Sequence, residues 1–194
     1  MPRVSDDYRK ARRDEIARAA IRCLERTGVH DTSIADIVEE SGLSTGAIYS
    51  HFTSKSELAR YVVAEFLFPR LDELGLSAAV RTPRDVLEAI LKVFTDDGLP
   101  TAIVVQFWGE ASLGGELHEQ MMHTAARLRG SIVSALLPWA RLQTLPATDA
   151  AAEALAIERA RAVISLAQGY IAHTALFGPR DPHEYVDSVV AALR

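Results

Sequence analysis

Apolar side chains recur every three or four positions along most of the chain, which is the period of an amphipathic α-helix. The first such segment runs from Lys10 to Thr27, and Gly28 follows where that helix would stop. Its apolar face is formed by Ile16, Ala19, Ala20, Cys23 and Leu24. The pattern predicts an N-terminal helix that buries one side.

Two shorter helices follow, and each begins at a residue that can cap a helix. The second helix begins at Thr32 or Ser33, where the sequence has the spacing of a capping box, and it ends at Gly42. Ser44 can cap a third helix from Thr45 to about His51. These segments are short and close together, which is typical of a small helical domain.

The rest of the chain continues the helical pattern. A capping box over Ser54–Glu57 opens a fourth helix that runs through Phe66. Further helices are predicted over Asp85–Asp96, Ala102–Trp108, Glu116–Gln143 with a kink at Pro138, Ala150–Phe177 and Asp181–Leu193. The period of Ala102–Trp108 also fits a buried strand, but no partner strand is present, so we interpret it as a buried helix. The fold class is therefore all-α, with about nine helices.

Charge is distributed unevenly, although the formal net charge of the 194 residues is only −5. Residues 8–26 carry seven cationic side chains and three acidic ones, whereas residues 61–194 carry 11 cationic and 16 acidic ones. A basic end on an acidic body can approach a polyanion with that end alone. The alternative is a solvated charged helix without a partner.

The cellular location is predicted from cysteine content and from the lack of a signal-peptide or membrane-span pattern. Cys23 is the single cysteine and falls on an apolar helix face, which excludes a disulfide framework and fits a reducing cytoplasm. The polar segment Met1–Arg13 does not resemble a signal peptide, and no apolar run is long enough for a membrane span. We expect a cytoplasmic protein without a membrane partner.

The second and third helices, joined by Ser41–Ser44, have the form of a helix-turn-helix. Gly42 permits a left-handed turn, and Leu43 can pack between the helices. In the third helix Ile48 and Phe52 are four residues apart and can pack inward. The front of this helix is small and polar, so that it can approach a DNA groove closely.

The segment Gly42–Leu58, which reads GLSTGAIYSHFTSKSEL, is similar to the TetR family of bacterial regulators, as are Thr32–Ile34 and Ile37. The resemblance covers roughly residues 9–60. It implies a three-helix DNA-binding domain, predicted here over residues 1–54, and a helical ligand-binding and dimerisation domain over residues 55–194. It also implies a homodimer formed by the last two helices, about residues 150–177 and 181–193.

Residue by residue, the resemblance implies two groups of DNA contacts. The groove side is formed by Thr45, Gly46, Tyr49 and Ser50, and phosphates are contacted by Thr32, Ser33, Ser44, His51 and Lys55. Helix N-termini and a cation favour phosphate, which supports the positions of Ser33 and Lys55. Small side chains at Thr45 and Ala47 point to methyl contacts, water or DNA shape in base recognition.

Other chemistry finds little support. His118 and His123 are five residues apart, about 140° around a helix, whereas a zinc-protease helix needs histidines four apart. No catalytic residue, metal site or cofactor is predicted, and an enzyme is a remote alternative.

For an effector, the middle of the chain offers a set of apolar and aromatic residues with a few polar tips, which is typical of a pocket for an apolar or aromatic small molecule and equally of an ordinary core. The set comprises Phe66, Phe94, Gln106, Phe107, Trp108, Met121, Met122, Tyr170, His173 and Phe177. If buried, Glu110 and His173 would be its polar anchors.

These observations together predict a regulator, most simply a repressor, that binds a near-palindromic DNA operator as a homodimer and is released by a small-molecule effector. One alternative is an activator or a regulator that needs no ligand. Another is a helical small-molecule binding protein without DNA affinity, which would show no salt-dependent binding to DNA.

Overall fold

The computed structural model describes residues 6–67, 81–95, 100–143 and 148–190, without the side chains of Phe66 and Leu67. Within these ranges the chain forms helices and no strand, which confirms the all-α prediction. The described α-helices are α1 (Asp6–Asp31), α2 (Ile34–Ser41), α3 (Thr45–Tyr49), α4 (Lys55–Val62), α5 (Pro83–Thr95), α6 (Thr101–Ser112), α7 (Gly115–Gln143), α8 (Asp149–Phe177) and α9 (Pro182–Val189). A π-helical turn, Val63–Leu67, extends α4.

The polar residues before the short helices cap them as the sequence predicts. Ser33 and Asp36 form a complete capping box at α2, because each side chain accepts a hydrogen bond from the backbone N–H of the other residue. Ser54 caps α4 by accepting from Glu57 N at 3.1 Å. In a capping box the Glu57 carboxylate would accept from the backbone N–H of Ser54. Here it accepts instead from Thr53 N, at 2.7 Å.

Helix α1 is interrupted where the sequence predicts its end. Gly28 has φ 84° and ψ 169°, a conformation that a side chain would strain, and one further helical turn follows it. Pro138 lies inside α7, and α7 continues to Gln143. Residues 102–108, for which a strand was the alternative, lie within α6.

Two apolar clusters form the interior. The first joins α1 to α4 and includes Ile16, Ile37 and Leu58, and it also contains Ile103 and Phe107 of α6. The second is formed by α5, α7, α8 and α9. Because α6 contributes to the first cluster, the helix-turn-helix and the larger helical part share buried contacts. The predicted boundary at residue 54 stays a prediction.

The C-terminal helix is fixed to the larger part by tyrosine hydroxyls and one ion pair. Tyr185 of α9 donates to Leu166 O at 2.6 Å, and its ring meets the Tyr170 ring edge-on at 5.2 Å between centroids. Arg84 of α5 pairs with Asp187 at 2.6 Å. Among the described helices, none combines the length and apolar character that a membrane span requires.

Candidate DNA-binding surface and internal cavity

Helices α2 and α3 form a helix-turn-helix held together by apolar side chains. Ile37 of α2 and Ile48 of α3 are buried, and Phe52 beyond α3 is 1% exposed. Gly42 ends α2 with φ 67°, in the left-handed region, and Leu43 after it packs partly buried against the same core. The inward positions are those that the sequence predicts.

The opposite face of α3 is open to solvent and carries the four residues predicted for the DNA groove. Thr45, Gly46, Tyr49 and Ser50 are all exposed. The space beside Gly46 is open, since a Cβ there would meet nothing within 4 Å. The Ser50 hydroxyl donates to Ala47 O at 2.6 Å. This face is therefore small, polar and unobstructed, with the Tyr49 ring as its largest feature.

Two of the residues predicted at phosphates, Ser33 and Ser44, lie on the surface at helix N-termini. Ser33 Oγ accepts from Asp36 N at 3.2 Å, and Ser44 Oγ accepts from Ala47 N at 3.1 Å. Both hydroxyls are thus part of helix caps. The Asp36 carboxylate accepts hydrogen bonds from the backbone and side chain of Ser33, which lowers the pKa of Asp36.

Thr32 does not lie on this surface, which corrects its predicted phosphate contact. Its residue is 1% exposed, and its hydroxyl donates to Gly28 O at 2.6 Å and lies 2.9 Å from Thr27 Oγ1. The turn at Gly28 directs Thr32 inward. Thr32 therefore holds the approach to α2 from the inside.

His51 and Lys55 occupy the junction between α3 and α4. The Nδ1 atom of His51 is buried and has no hydrogen-bond partner among the described residues. Burial, and next the positive charge of Arg13, lower the pKa of His51. Lys55 Nζ donates to His30 O at 3.1 Å and so links the start of α4 to the last turn of α1.

Arg13 has a role that sequence analysis missed. Its guanidinium carbon lies 4.3 Å from the ring centroid of Phe52 and 4.5 Å from that of Tyr61, and it pairs with Glu57 at 3.2 Å. Arg13 therefore joins α1, the end of the helix-turn-helix and α4. No local spacing reveals such a contact, because its partners are about 40 or more residues away in sequence.

Several cations of α1 are balanced by carboxylates of neighbouring segments. Arg22 and Arg26 both pair with Glu40 of α2, at 2.6 and 2.7 Å. Lys10 pairs with Glu65 at 2.9 Å, and this hydrogen bond raises the pKa of Lys10. The excess of cationic side chains counted in α1 is therefore largely engaged in ion pairs that join α1 to neighbouring segments.

A cavity of about 140 Å³ lies among the helices of the larger part. Its described lining consists of Val63, Ile90, Phe94, Val104, Phe107, Trp108, Met121, Thr124, Ala125, Leu128, Ile164, Ala167, Gln168 and Ile171. Polar side chains in this set are limited to Thr124 and Gln168, and none of the set is charged. A dry cavity of about 150 Å³ can hold a benzene ring, so the space suits a small uncharged molecule.

The cavity includes some predicted ligand-binding residues. Phe94, Phe107, Met121 and Trp108 line it. Sequence analysis expected α8 to contribute through Tyr170, His173 and Phe177 but missed the positions of α8 that line the cavity. These are residues 164, 167, 168 and 171, which follow helical spacing and point to one face.

Other predicted ligand-binding residues lie elsewhere. The residues that do not line the cavity are Gln106, Glu110, Met122, Tyr170, His173 and Phe177. Phe66 falls outside the described side chains.

These residues do not line the cavity for different physical reasons. Glu110 and His173 are exposed, so neither is the buried polar anchor that was expected. Phe177 is 76% exposed, and Tyr170 is buried with its hydroxyl donating to Arg180 O at 2.8 Å. Composition could select these residue types, but only packing decides which side of a helix faces a cavity.

Comparison with known proteins extends this description. Residues 16–62 match the family model of bacterial regulatory proteins, tetR family. The uncharacterized HTH-type transcriptional regulator YfiR of Bacillus subtilis (strain 168) is 32% identical over 109 residues, which cover 55% of this chain and 53% of that protein. The HTH-type transcriptional regulator BetI of Pectobacterium carotovorum subsp. carotovorum (strain PC1) is 30% identical over 127 residues, which cover 63% of each chain.

The chain thus spans between half and two thirds of the length of these curated relatives. A TetR transcription regulator from Haloarcula marismortui ATCC 43049 has a similar structure, with a TM-score of 0.74 over 95% of this chain and 96% of that chain. At 16% identity this similarity shows a common fold.

The fold and the N-terminal surface define a helix-turn-helix protein with a larger all-α part. Through residues 16–62 and through its fold, the chain is similar to transcriptional regulators of the TetR family. The relatives named here are described as transcriptional or transcription regulators.

Proposed function

We propose that the chain is a transcriptional repressor that binds a near-palindromic DNA operator as a homodimer and is released by a small uncharged effector. The observation that carries this proposal is the combination of two features in one chain. An unobstructed recognition face on α3 lies at one end, and an uncharged cavity lies in the part that packs against it.

The recognition face supports DNA as the partner. Thr45, Gly46 and Tyr49 project from a helix whose other side is fixed by Ile48, which is fully buried. A short helix presented in this way can enter a major groove, with its first residues nearest the bases. Ser33 and Ser44 place the N-termini of α2 and α3 beside it, where backbone amides favour phosphate.

The exposed side of α8 supports a second copy as the other partner. Along it runs a row of exposed residues at helical spacing, Ala154, Glu158, Arg161, Ser165 and Gly169. Leu176 and Phe177 follow at the end of α8 and are 68% and 76% exposed. Large apolar side chains at such exposure are covered in a dimer formed through α8 and α9. Two-fold symmetry would then hold two copies of α3 at one fixed separation.

The cavity supports an effector of limited size. Its described lining offers Thr124, Gln168 and the indole N–H of Trp108 for hydrogen bonds and otherwise contacts a ligand through apolar side chains. The dimer can bind the operator only when its two α3 helices have the separation of the two half-sites. An effector that prefers a dimer with another separation lowers operator affinity to the extent of that preference.

Binding to a pool of random DNA duplexes tests the proposal for an operator of any sequence. The purified chain is incubated with duplexes that contain a random segment of about 30 base pairs, or about three helical turns, and bound duplexes are enriched. We expect a near-palindromic sequence whose affinity falls steeply with salt. Tyr49→Ala should weaken binding about tenfold or more, because it removes the largest side chain of the recognition face.

Met122→Ala is the control, since Met122 on α7 is 53% exposed, close to the 50% of Tyr49, but lies outside the recognition face. It should leave DNA affinity unchanged. Sedimentation of the same samples should show a dimer, and Phe177→Asp should shift it towards monomer. A folded dimer that enriches no duplex would instead indicate a helical small-molecule binding protein. In a reporter fusion, higher expression with the protein present would indicate an activator.

A further inference from the structure

Gln106 joins the helix that lines the cavity to the turn that precedes the helix-turn-helix. It lies on α6, and its Oε1 accepts a hydrogen bond from the backbone N–H of Val29 in the last turn of α1. Val29 is 7% exposed and Gln106 is half-buried, so this bond is partly shielded from water. A side chain thus fixes a backbone position 77 residues earlier in sequence.

The turn that Gln106 holds is tightly constrained. Gly28 has φ 84°, and a Cβ at this position would lie 2.9 Å from Gln106 Oε1. The Gly28 carbonyl accepts from the buried Thr32 hydroxyl at 2.6 Å. Thr32 is followed directly by Ser33, which caps α2. Two hydrogen bonds, from Val29 N to Gln106 and from the Thr32 hydroxyl to Gly28 O, therefore connect Gln106 with the residues that lead into α2.

At its other side α6 meets the cavity. Val104, Phe107 and Trp108 contribute to the lining, and Phe107 follows Gln106 directly. Phe107 is 1% exposed. Besides the cavity, it lines a second, open cleft to which Val29 contributes, so Phe107 lies between the cavity and the turn at Gly28 and Val29. Packed helices shift as units rather than deform, and a molecule seated against Phe107 would move Gln106 with it.

Given a repressor that an effector releases, we propose that Gln106 is the positioning residue that couples occupancy of the cavity to the placement of α2 and α3. The coupling acts through the Val29 amide and not through DNA or ligand contact. Loss of one hydrogen bond corresponds to a change of about 3- to 10-fold in an equilibrium. Removing the Gln106 amide should reduce the effect of an occupant on operator affinity by that factor.

An occupant can be built into the chain for the test. Ala167 of α8 is buried and lines the cavity, so Ala167→Phe places a ring inside it. The Val29 amide is then followed by ¹⁵N NMR in the wild type and in Ala167→Phe, each with and without Gln106→Leu. We expect the added ring to shift the amide resonance of Val29 and to speed the hydrogen exchange of that amide in the chains that retain Gln106. In Gln106→Leu the ring should have neither effect.

Equal responses of Val29 in both backgrounds would overturn the proposal. Phenol, added to the otherwise unchanged chain, provides a second occupant if Ala167→Phe does not fold. This readout needs no DNA, so its result is independent of whether the chain is a repressor.

The enriched duplex provides a second readout. The Kd for this duplex is measured with and without Ala167→Phe, both in the wild type and in Gln106→Leu. The factor by which Ala167→Phe raises the Kd should be about 3- to 10-fold smaller in Gln106→Leu than in the wild type. Gln106→Glu keeps an acceptor for Val29 and should restore most of this factor. Gln143→Leu, an exposed glutamine at the end of α7, should leave it unchanged. An undiminished factor in Gln106→Leu, with helical content intact, would contradict the coupling, whereas absence of DNA binding by the wild type would contradict the proposed function alone.

Discussion

Arg13 and His51 illustrate how single residues in the N-terminal part are set by distant neighbours. Arg13 lies against two aromatic rings that contact each other, and its charge is the largest electrostatic influence on the pKa of His51 after burial itself. The positive charge that sequence analysis assigned to DNA attraction therefore acts inside the domain as well. It keeps a neighbouring imidazole neutral at a pH where an isolated histidine begins to take up a proton.

The lowered pKa of His51 predicts how stability depends on pH. The unfolded chain protonates His51 near 6.5, and the folded chain does so only at lower pH, so the unfolded state binds more protons as pH falls through this window. The contribution of His51 is fully present above pH 6.5 and is lost below it. His51→Asn should reduce the drop in free energy of unfolding between pH 7.5 and 5.5, measured with urea. The exposed His123→Asn should keep the drop of the wild type, and equal drops in all three proteins would contradict the prediction.

Two glycines should respond to alanine with opposite signs. Gly28 has φ 84° and ψ 169°, where an added Cβ costs about 1–3 kcal/mol, and the Cβ would also press on Gln106 Oε1. Gly130 lies within α7 with open space around it, so alanine there should stabilise by about 0.5–1 kcal/mol. Thermal unfolding of Gly28→Ala and Gly130→Ala checks both values. Destabilisation by both substitutions would show that the α7 position has a constraint beyond helix propensity.

At the scale of elements, the short helices depend on their caps more than on their length. Helix α2 has eight residues and α3 has five, too few to be stable in isolation. Ser33, Ser44 and Ser54 each accept a backbone N–H of the first turn that follows. The helix-turn-helix is therefore fixed by side-chain caps on one side and by the shared apolar core on the other.

Loss of one cap should be measurable. Ser33→Ala removes both the acceptor for Asp36 N and the hydroxyl that donates to the Asp36 carboxylate, and it should destabilise by about 1 kcal/mol. Ser33→Thr should retain most of the stability, since its hydroxyl can still accept from Asp36 N and donate to the Asp36 carboxylate. The exposed Ser131→Ala in α7 should lie within about 0.5 kcal/mol of the wild type. Urea unfolding measures all three, and a neutral Ser33→Ala would show that packing alone fixes α2.

At the scale of the whole molecule, the relation between the two apolar clusters determines how the parts communicate. Ile103 and Phe107 of α6 belong to the cluster of the helix-turn-helix, while Phe107 also lines the cavity. A second tie runs from α7 to α4, where Gln120 Nε2 donates to Arg60 O at 3.3 Å and Glu116 pairs with Arg60. The N-terminal helices therefore rest on the two helices that enclose much of the cavity.

The uncharged lining predicts the selectivity of the cavity. Among molecules with one aromatic ring, benzyl alcohol should bind at least about tenfold more tightly than benzoate or benzyltrimethylammonium, because an unpaired charge loses hydration there. Cation–π contact with Trp108 and Phe94 offsets part of this cost for the cation. Calorimetric titration of the three compounds checks the order. Tightest binding of the trimethylammonium compound would indicate that the aromatic side chains dominate recognition.

The sequence alone determined the all-α fold, the helix-turn-helix and its caps. These features depend on local periodicity and on residues only three or four positions apart, such as Ser33 with Asp36 or Ile48 with Phe52. The exposed polar face of α3 follows from the same periodicity, since burying Ile48 leaves Tyr49 outside.

Only the tertiary structure decided the rest. The inward position of Thr32, the contact of Arg13 with two rings and the hydrogen bond from Val29 N–H to Gln106 all join segments through space. The cavity likewise arises where α5, α6, α7, α8 and the turn after α4 leave space between them, so its lining depends on helix rotation and packing. A composition of apolar and aromatic residues cannot specify that rotation, because a core side chain and a cavity side chain differ only in what lies opposite them.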